Sequence, residues 1–208
     1  MSVPVAVDHE LIERAAEVLR RGGLVAYPTD TVYGLAALPA DDEAVRRLFA
    51  AKQRPIDKAT PLLIASEEDV RLVAGAVSPT ARRLMAAFWP GALTIILAAA
   101  QRYHSLAVGE TVALRVPDHP VPRELCRLLG GPITGTSANT SGGPDPLTAD
   151  DVRTQLGEAV DLVIDGGRCA GGRPSTVVVC TQEPPRIVRE GAISREQIAK
   201  VAAIKIDT

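Results

Sequence analysis

Short apolar runs alternate with amphipathic segments along the chain, and small polar or glycine-containing stretches separate them. The first amphipathic segment follows Asp8 and ends at Gly22, and a short apolar run, residues 24–27, comes next and stops at Pro28. Strands that alternate with helices in this way are typical of an α/β domain whose mixed sheet is largely buried. We therefore predict an α/β fold in which helices flank a twisted mixed β-sheet.

Capping signals and β-rich runs predict the remaining elements. Ser66 with Asp69 has the spacing of a capping box, and a proline after Ser78 favours a helix start there. Helices are predicted to begin near residues 42, 66, 78, 121, 148 and 194, and the last reaches about residue 202. Strands are predicted at residues 61–65, 93–97, 112–116, 133–134, 162–164 and 176–179. Since no internal repeat or long linker is visible, we expect one domain over residues 1–208, with its core at about 10–195.

Composition and charge argue against several classes of protein. A net charge of −2 and an aromatic content of 3% argue against a dedicated nucleic-acid-binding protein, which needs basic groups and stacking rings. The cysteines, Cys126, Cys169 and Cys180, are odd in number and widely spaced, as in proteins of a reducing compartment. The sequence has no apolar run of membrane-spanning length and no signal-peptide pattern, so we expect a cytoplasmic protein without a membrane segment.

Several familiar catalytic signatures are missing from the sequence. It contains neither the phosphate loop of P-loop proteins nor the glycine fingerprint of dinucleotide-binding domains. The nucleophile elbow of α/β-hydrolases is missing too, and the three histidines do not have the spacing of a metal site. Any chemistry must then rely on side chains and backbone groups that are scattered along the chain.

Hydroxyl groups and cations follow the predicted elements at several points. Thr31 lies in the segment 27–35, which is either an ordinary β-turn or a ligand contact. Lys52 and Arg54 follow a predicted helix, where such charges often interact with the helix dipole or with solvent. However, Arg54 precedes a proline, and the extended backbone that this imposes suits a cation directed at a phosphate or carboxylate.

Two further segments carry polar groups in or after apolar strands. Arg115 stands inside an apolar strand, where an arginine needs either a structural ion-pair partner or a water-filled cleft. Ser137 and Asn139 lie in the segment 137–142, which is either a tight loop or an anion-binding nest of backbone N–H groups. Together these groups are suited to bind polyphosphate and carboxylate without a nucleophilic side chain.

Six short blocks occur in an order and spacing that resemble the YrdC family, from about residue 10 to residue 195. They are YPTDTVYGL at 27–35, KQRP at 52–55, WPGALT at 89–94, LRVP at 114–117, SANTSG at 137–142 and STVV at 175–178. Each block alone is weak evidence for the family, but six blocks in the same order and spacing are specific to it. The resemblance implies the mixed α/β fold of that family, with a large concave basic cleft.

The resemblance also implies an enzymatic activity. It is the condensation of L-threonine, bicarbonate and ATP, the last bound with Mg²⁺, to L-threonylcarbamoyl-AMP and pyrophosphate. Other proteins then transfer the threonylcarbamoyl group to adenosine 37 of tRNAs that read codons beginning with A, and a weak contact with tRNA itself is also implied. Longer family members carry an additional C-terminal domain, for which a chain of this length has no room.

Site residues follow from the resemblance position by position. Threonine would be bound by Thr31, Arg115 and Ser175, with Arg115 on its carboxylate. The nucleotide would be bound by Lys52, Arg54, Thr111, Ser137, Asn139, Asp145 and Arg189, with Lys58 nearby. Lys52 and Arg54 would stabilise charge on the phosphates, no residue would act as a covalent nucleophile, and no metal-ligating residue is assigned.

Two other functions remain open at this point. One is an enzyme that forms a carbamoyl adenylate from carbamoyl phosphate, as hydrogenase maturation proteins of similar sequence do within longer chains. The other is a non-catalytic RNA-binding module that uses the same concave face. Pyrophosphate release from ATP distinguishes an enzyme from a binding module, and dependence on threonine distinguishes the two enzymes.

Overall fold

The computed structural model describes residues 8–55, 59–103, 105–169 and 173–203. The helices in these ranges are α1 (His9–Arg20), α2 (Asp42–Ala51), α3 (Val70–Val73), α4 (Pro79–Phe88), α5 (Pro120–Leu129), α6 (Ala149–Leu156) and α7 (Arg195–Ala202). Short 3₁₀ turns, Glu67–Asp69 and Gly157–Ala159, precede α3 and follow α6. None of the helices in these ranges combines the length and apolarity that a bilayer span needs.

The helix starts lie at the capping signals that the sequence shows. The side chain of Asp8 accepts a hydrogen bond from the backbone N–H of Leu11 at 3.1 Å and caps α1. Ser66 and Asp69 form the predicted capping box, and Ser194 forms another at the start of α7. These caps satisfy N–H groups that have no partner within the helix, which is why short polar signals locate helix starts so well.

The strands are β1 (Val25–Tyr27), β2 (Gly34–Ala36), β3 (Leu62–Leu63), β4 (Leu93–Ala98), β5 (Thr111–Arg115), β6 (Ile133–Thr134), β7 (Thr136–Ser137), β8 (Leu162–Val163), β9 (Thr176–Val179) and β10 (Arg186–Arg189). They form a four-stranded sheet, in the order β7-β2-β1-β8, and a six-stranded sheet, in the order β10-β9-β4-β5-β3-β6. Each sheet contains both parallel and antiparallel pairs. The predicted mixed α/β fold is therefore confirmed, with the strands divided between two sheets.

A sharp corner at Gly135 joins the two sheets. The chain leaves the six-stranded sheet at β6 and enters the four-stranded sheet at β7, with only Gly135 between them. A Cβ atom on Gly135 would lie 2.8 Å from the side chain of Leu63, so a larger residue does not fit. Across the corner, the hydroxyl of Tyr27 donates to the carbonyl of Thr134 at 2.8 Å. The sheets are thus fixed to each other next to the cavity described below.

Three strands lie where the sequence predicts none. β2 has a glycine and an alanine among its three residues, and β7 lies in a segment predicted to be irregular. The edge strand β10 has two β-branched residues between two arginines. Neighbouring strands hold these short segments by ladder hydrogen bonds, so tertiary pairing and not intrinsic propensity determines their structure. Most of the buried core consists of Leu, Ile, Val and Ala, as the low aromatic content predicts.

Candidate active site

A cavity of about 470 Å³ opens at the junction of the two sheets. Alternate residues of adjacent strands of the six-stranded sheet form its floor, because side chains two apart on a strand share a face. These floor residues are Thr94 and Ile96 on β4, Thr111, Ala113 and Arg115 on β5, and Val177 on β9, with Ser175 just before β9. Parts of the β1–β2 connection and of the corner between β6 and β7 also line the cavity.

Arg115 is the most deeply buried cation in the cavity lining that the structure describes, with 7% of its surface exposed. Its Nε donates to the carbonyl of Gly91 at 2.8 Å, and its Nη1 donates to Oγ1 of Thr31 at 3.0 Å. Its Nη2 forms an ion pair with Asp30 at 2.5 Å. The two interpretations of this residue are thus compatible, since Arg115 has a structural ion-pair partner and also lines the cleft.

The turn between β1 and β2 holds two buried threonines side by side. Oγ1 of Thr29 accepts a hydrogen bond from the backbone N–H of Thr31 at 3.0 Å and donates to the carbonyl of Val32 at 2.7 Å. The hydroxyls of Thr29 and Thr31 lie 3.0 Å apart. The segment is therefore a turn in which a threonine side chain binds the backbone, and it also presents Thr31 to the cavity.

Ser175 and Arg189 meet at another part of the lining. Nε and Nη2 of Arg189 both donate to the carbonyl of Ser175, at 3.2 and 2.9 Å. The hydroxyl of Ser175 lies 2.8 Å from that of Thr94, in a contact where either can donate. Burial lowers the pKa of Arg189, with nearby Arg115 acting in the same direction and Asp145 opposing it. Arg189 as a whole is exposed, so its guanidinium is accessible to an anionic ligand, with which it can form charge-assisted hydrogen bonds.

Lys52 lies behind the cavity lining and not in it. Only 3% of the surface of Lys52 is exposed, and its ammonium group lies against the segment that follows β7. Nζ donates to the carbonyls of Ser137 and Asn139, at 2.5 and 2.7 Å, and to Oδ1 of Asn139 at 3.3 Å. Its three protons are thus directed at protein oxygens. Neither Lys52 nor Asn139 is one of the described residues that line the cavity.

Lys52 and Asn139 instead organise the wall that carries Ser137. Oδ1 of Asn139 also accepts from the hydroxyl of Ser137 at 2.5 Å, and its Nδ2 donates to the carbonyl of Gly143 at 2.9 Å. Burial lowers the pKa of Lys52 to about 8, with a smaller contribution from the charge of Arg54. Lys52 therefore stabilises the 137–143 loop through its hydrogen bonds, and this loop forms one wall of the cavity through Ser137.

Arg54 lies two residues after Lys52 but faces the cavity. Between them, Gln53 has a φ of 49°, in the left-handed region that non-glycine residues seldom adopt. The guanidinium of Arg54 lies 5.6 Å from the ring centroid of Phe49 and donates to the carbonyl of Ala59 at 2.9 Å. The turn at Gln53 thus gives two neighbouring cations different surroundings.

Eight of the ten predicted site residues line the same cavity: Thr31, Arg54, Thr111, Arg115, Ser137, Asp145, Ser175 and Arg189. Lys58 lies outside the described residues. Residue type and spacing do not single out Thr29, Asp30 and Thr94 as site residues, although all three lie within blocks of the family resemblance. Their hydrogen bonds to Thr31, Arg115 and Ser175 appear only in three dimensions.

Within the described residues, no group of three or more histidine, cysteine or acidic side chains is placed to hold a metal ion. Asp145 is the one carboxylate among the described lining residues. A single carboxylate is too few for a dedicated Mg²⁺ site, but it suits an ion that keeps several waters and takes oxygens of a bound ligand.

Comparison with known proteins identifies the family. A sequence model of the Sua5/YciO/YrdC family, described as telomere recombination, matches residues 17–191. The chain belongs to this family. The resemblance seen in the six sequence blocks is therefore confirmed, and the cavity lies within the matched Sua5/YciO/YrdC region.

Relatives in this family carry a consistent name. The chain is 38% identical to a threonylcarbamoyl-AMP synthase of Pyrococcus abyssi, over 97% of this chain and 60% of the relative. It is 39% identical to one of Vibrio cholerae, over 81% of this chain and 92% of the relative. The crystal structure of P. abyssi Sua5 complexed with L-threonine superposes with a TM-score of 0.87 at 39% identity, over 91% of this chain and 56% of that one. The chain thus spans about 60% of the Pyrococcus relative and most of the Vibrio relative.

Proposed function

We propose that this protein is an L-threonylcarbamoyladenylate synthase, which condenses L-threonine, bicarbonate and ATP to threonylcarbamoyl-AMP and pyrophosphate. The observation that carries the proposal is the convergence of three arginines and several hydroxyls on one cavity. The described lining residues include no cysteine, lysine or histidine that would act as a covalent nucleophile. The shared name of the Pyrococcus and Vibrio relatives supports the same activity.

In this proposal, L-threonine binds where Arg115, Thr31 and Ser175 converge. Arg115 uses three of its five N–H groups on Gly91, Thr31 and Asp30, so two remain for the substrate carboxylate. A guanidinium and a carboxylate form strong charge-assisted hydrogen bonds, which become stronger where water is excluded. The surrounding hydroxyls supply the short, directional contacts that a small amino acid needs.

The triphosphate of ATP binds along the part of the cavity that carries Arg54, Ser137 and Arg189, with Thr111 toward the nucleoside. Asp145 is the residue that would hold Mg²⁺ together with the phosphates. When bound, the ion offsets negative charge on the phosphate oxygens. The arginines do the same from fixed positions, and this preorganised charge accounts for much of the catalysis in phosphoryl and nucleotidyl transfer.

The reaction needs no covalent intermediate on the protein. The amino group of threonine forms a C–N bond with the carbon of bicarbonate, and a C–O bond breaks with loss of water to give an N-carboxy species. A carboxylate oxygen of this species then attacks the α-phosphate and displaces pyrophosphate. Burial raises the pKa of Cys169, and it raises that of Cys126 and Cys180 to about 12. These thiols are therefore protonated at neutral pH and do not compete as nucleophiles. The protein contributes binding, orientation and charge.

We further propose that the reaction takes place in the cytoplasm and supplies the enzymes that transfer threonylcarbamoyl to tRNA. The product is a mixed anhydride that water hydrolyses, so a partner that accepts it directly would limit the loss. A weak contact with tRNA would bring the acceptor close. These partners remain proposals that rest on the activity itself.

Pyrophosphate release tests the activity. Purified protein is incubated with ATP and Mg²⁺, with and without L-threonine and bicarbonate in all combinations, and with carbamoyl phosphate as an alternative substrate. The proposal predicts release only when threonine and bicarbonate are both present. Release with carbamoyl phosphate alone would favour the other adenylate-forming enzyme, and ATP binding without release under any condition would favour a binding role.

A further inference from the structure

The hydroxyl of Thr29 has no hydrogen-bonding capacity left for a ligand. A hydroxyl offers one proton and two lone pairs. The proton of Thr29 goes to the carbonyl of Val32, because a carbonyl can only accept. One lone pair takes the backbone N–H of Thr31, at 3.0 Å. The other faces the hydroxyl of Thr31, also at 3.0 Å.

This arrangement fixes the direction of the bond between the two hydroxyls. Since the proton of Thr29 is already used, the hydroxyl of Thr31 must be the donor in their contact. Thr31 then has two lone pairs, of which one accepts from Nη1 of Arg115 at 3.0 Å. One lone pair and no proton remain, and Thr31 lines the cavity. Toward a bound molecule, Thr31 can only accept a hydrogen bond.

We infer that Thr29 is a positioning residue that makes Thr31 the acceptor for the α-amino group of the amino-acid substrate. The inference rests on the proposed function, in which Arg115 binds the substrate carboxylate. In an α-amino acid, the amino group is attached to the carbon next to the carboxylate, whereas the side-chain hydroxyl of threonine lies one bond further. The amino group is therefore the nearest donor to the Arg115–Thr31 contact.

The direction of this bond matters for the chemistry. A neutral amine that donates an N–H to Thr31 keeps its own lone pair for attack on bicarbonate. An amine that accepted a proton from Thr31 would have that lone pair occupied. The two hydroxyls thus orient the nucleophile of the first step, although Thr29 itself touches only protein groups through its hydroxyl.

Thr29→Val removes the acceptor for the Thr31 proton while keeping the shape of the side chain. The Thr31 hydroxyl is then free to turn its proton toward the cavity, where it meets the N–H of the substrate. We expect the Kd for L-threonine to rise about tenfold, the effect of one lost hydrogen bond. Thr29→Ser keeps the hydroxyl and is expected to restore the wild-type Kd. If Thr29→Val does not fold, Thr29→Ala removes the same hydroxyl without adding bulk.

Two analogues of threonine identify the group that Thr31 binds. L-2-aminobutyrate has the amino group but no hydroxyl, and 3-hydroxybutyrate has the hydroxyl but no amino group. Calorimetric titration or inhibition constants are compared between wild type and Thr29→Val. The inference predicts about tenfold weaker binding of aminobutyrate in the variant and equal binding of 3-hydroxybutyrate.

Either of two results would overturn the inference. The opposite pattern, with only 3-hydroxybutyrate weakened, would assign the Thr31 lone pair to the side-chain hydroxyl. Unchanged binding of both analogues would mean that Thr29 does not set the direction of the bond. Failure of the proposed function looks different, because wild-type protein would then show neither L-threonine binding nor threonine-dependent pyrophosphate release, and the inference would fall with it.

Discussion

Replacing Arg115 with methionine tests how the cavity floor is stabilised. The substitution keeps a long apolar stem but removes the guanidinium, which binds Gly91, Thr31 and Asp30. Within the described residues, Arg115 is the only cation in ion-pair contact with Asp30. The variant therefore leaves a mostly buried carboxylate without its counter-charge.

The size of the stability loss follows from the burial of the Arg115–Asp30 ion pair. Removing one partner of a buried ion pair costs about 3–5 kcal/mol, because the remaining charge is desolvated without compensation. The side chain of Asp30 is 16% exposed, so water reaches it and the lower limit applies. We expect a loss of about 3 kcal/mol in the free energy of unfolding. For a chain of this length, this loss corresponds to a Tm lower by about 6–12 °C.

Thermal and urea unfolding of three variants measure the effect. Arg115→Met is compared with the double variant Asp30→Asn/Arg115→Met, which leaves no unpaired charge and should recover about half of the loss. Arg46→Met is the control, since it breaks an exposed pair with Glu43 on α2 and should cost less than about 1 kcal/mol. A Tm for Arg115→Met equal to that of the control, or a double variant as unstable as the single one, would refute the reasoning.

Three further predictions concern other parts of the site. Burial lowers the pKa of Lys52 from 10.5 to about 8, so between these pH values the unfolded chain binds more protons than the folded one. The stability of wild type relative to Lys52→Met should therefore rise from pH 8 to pH 10.5 in urea titrations, and a fall would contradict the burial argument. Arg54→Ala should abolish most pyrophosphate release, because it removes one of the three arginines that line the cavity; near-normal turnover would remove it from the site. Gly191→Ala would place a Cβ 2.2 Å from the carbonyl oxygen of Pro174 and 2.6 Å from the backbone of Ser175, so we expect a loss of about 1–3 kcal/mol and weaker threonine binding. Gly131→Ala, which meets nothing within 4 Å, is its control in the same calorimetric titrations.

Much of the fold is visible in the sequence because it is determined locally. The side chains of Asp8 and Ser194 accept from N–H groups three residues on, and the side chain of Asp69 accepts from the N–H of Ser66. Such short-range geometry is encoded by residue type and spacing. The division into two sheets is not local. It depends on the corner at Gly135, where close packing against Leu63 excludes a side chain, and neither spacing nor propensity shows that contact.

The roles of individual residues in the candidate site also depend on non-local contacts that the sequence does not show. Lys52 and Arg54 are two cations in one sequence block, yet the backbone turn at Gln53 directs one under the 137–143 loop and the other to the cavity. From residue type alone, Lys52 and Arg54 are both expected to bind phosphate. The direction of the hydrogen bond between Thr29 and Thr31 depends on the carbonyl of Val32, which takes the Thr29 proton and which only the local fold of the turn brings into reach. The extent of a single domain over residues 1–208 and the ligand assigned to each site residue stay predictions.

We propose that the cavity joins threonine, bicarbonate and the adenylate into one molecule. The most direct test is mass spectrometry of the products formed from ATP, L-threonine and bicarbonate labelled with heavy carbon. The account predicts a new adenylate with the mass of threonylcarbamoyl-AMP, which becomes heavier by one mass unit with the label and does not form without threonine. A threonyl adenylate that carries no label would contradict it, because the carboxylate of threonine and not an N-carboxy group would then have attacked the α-phosphate.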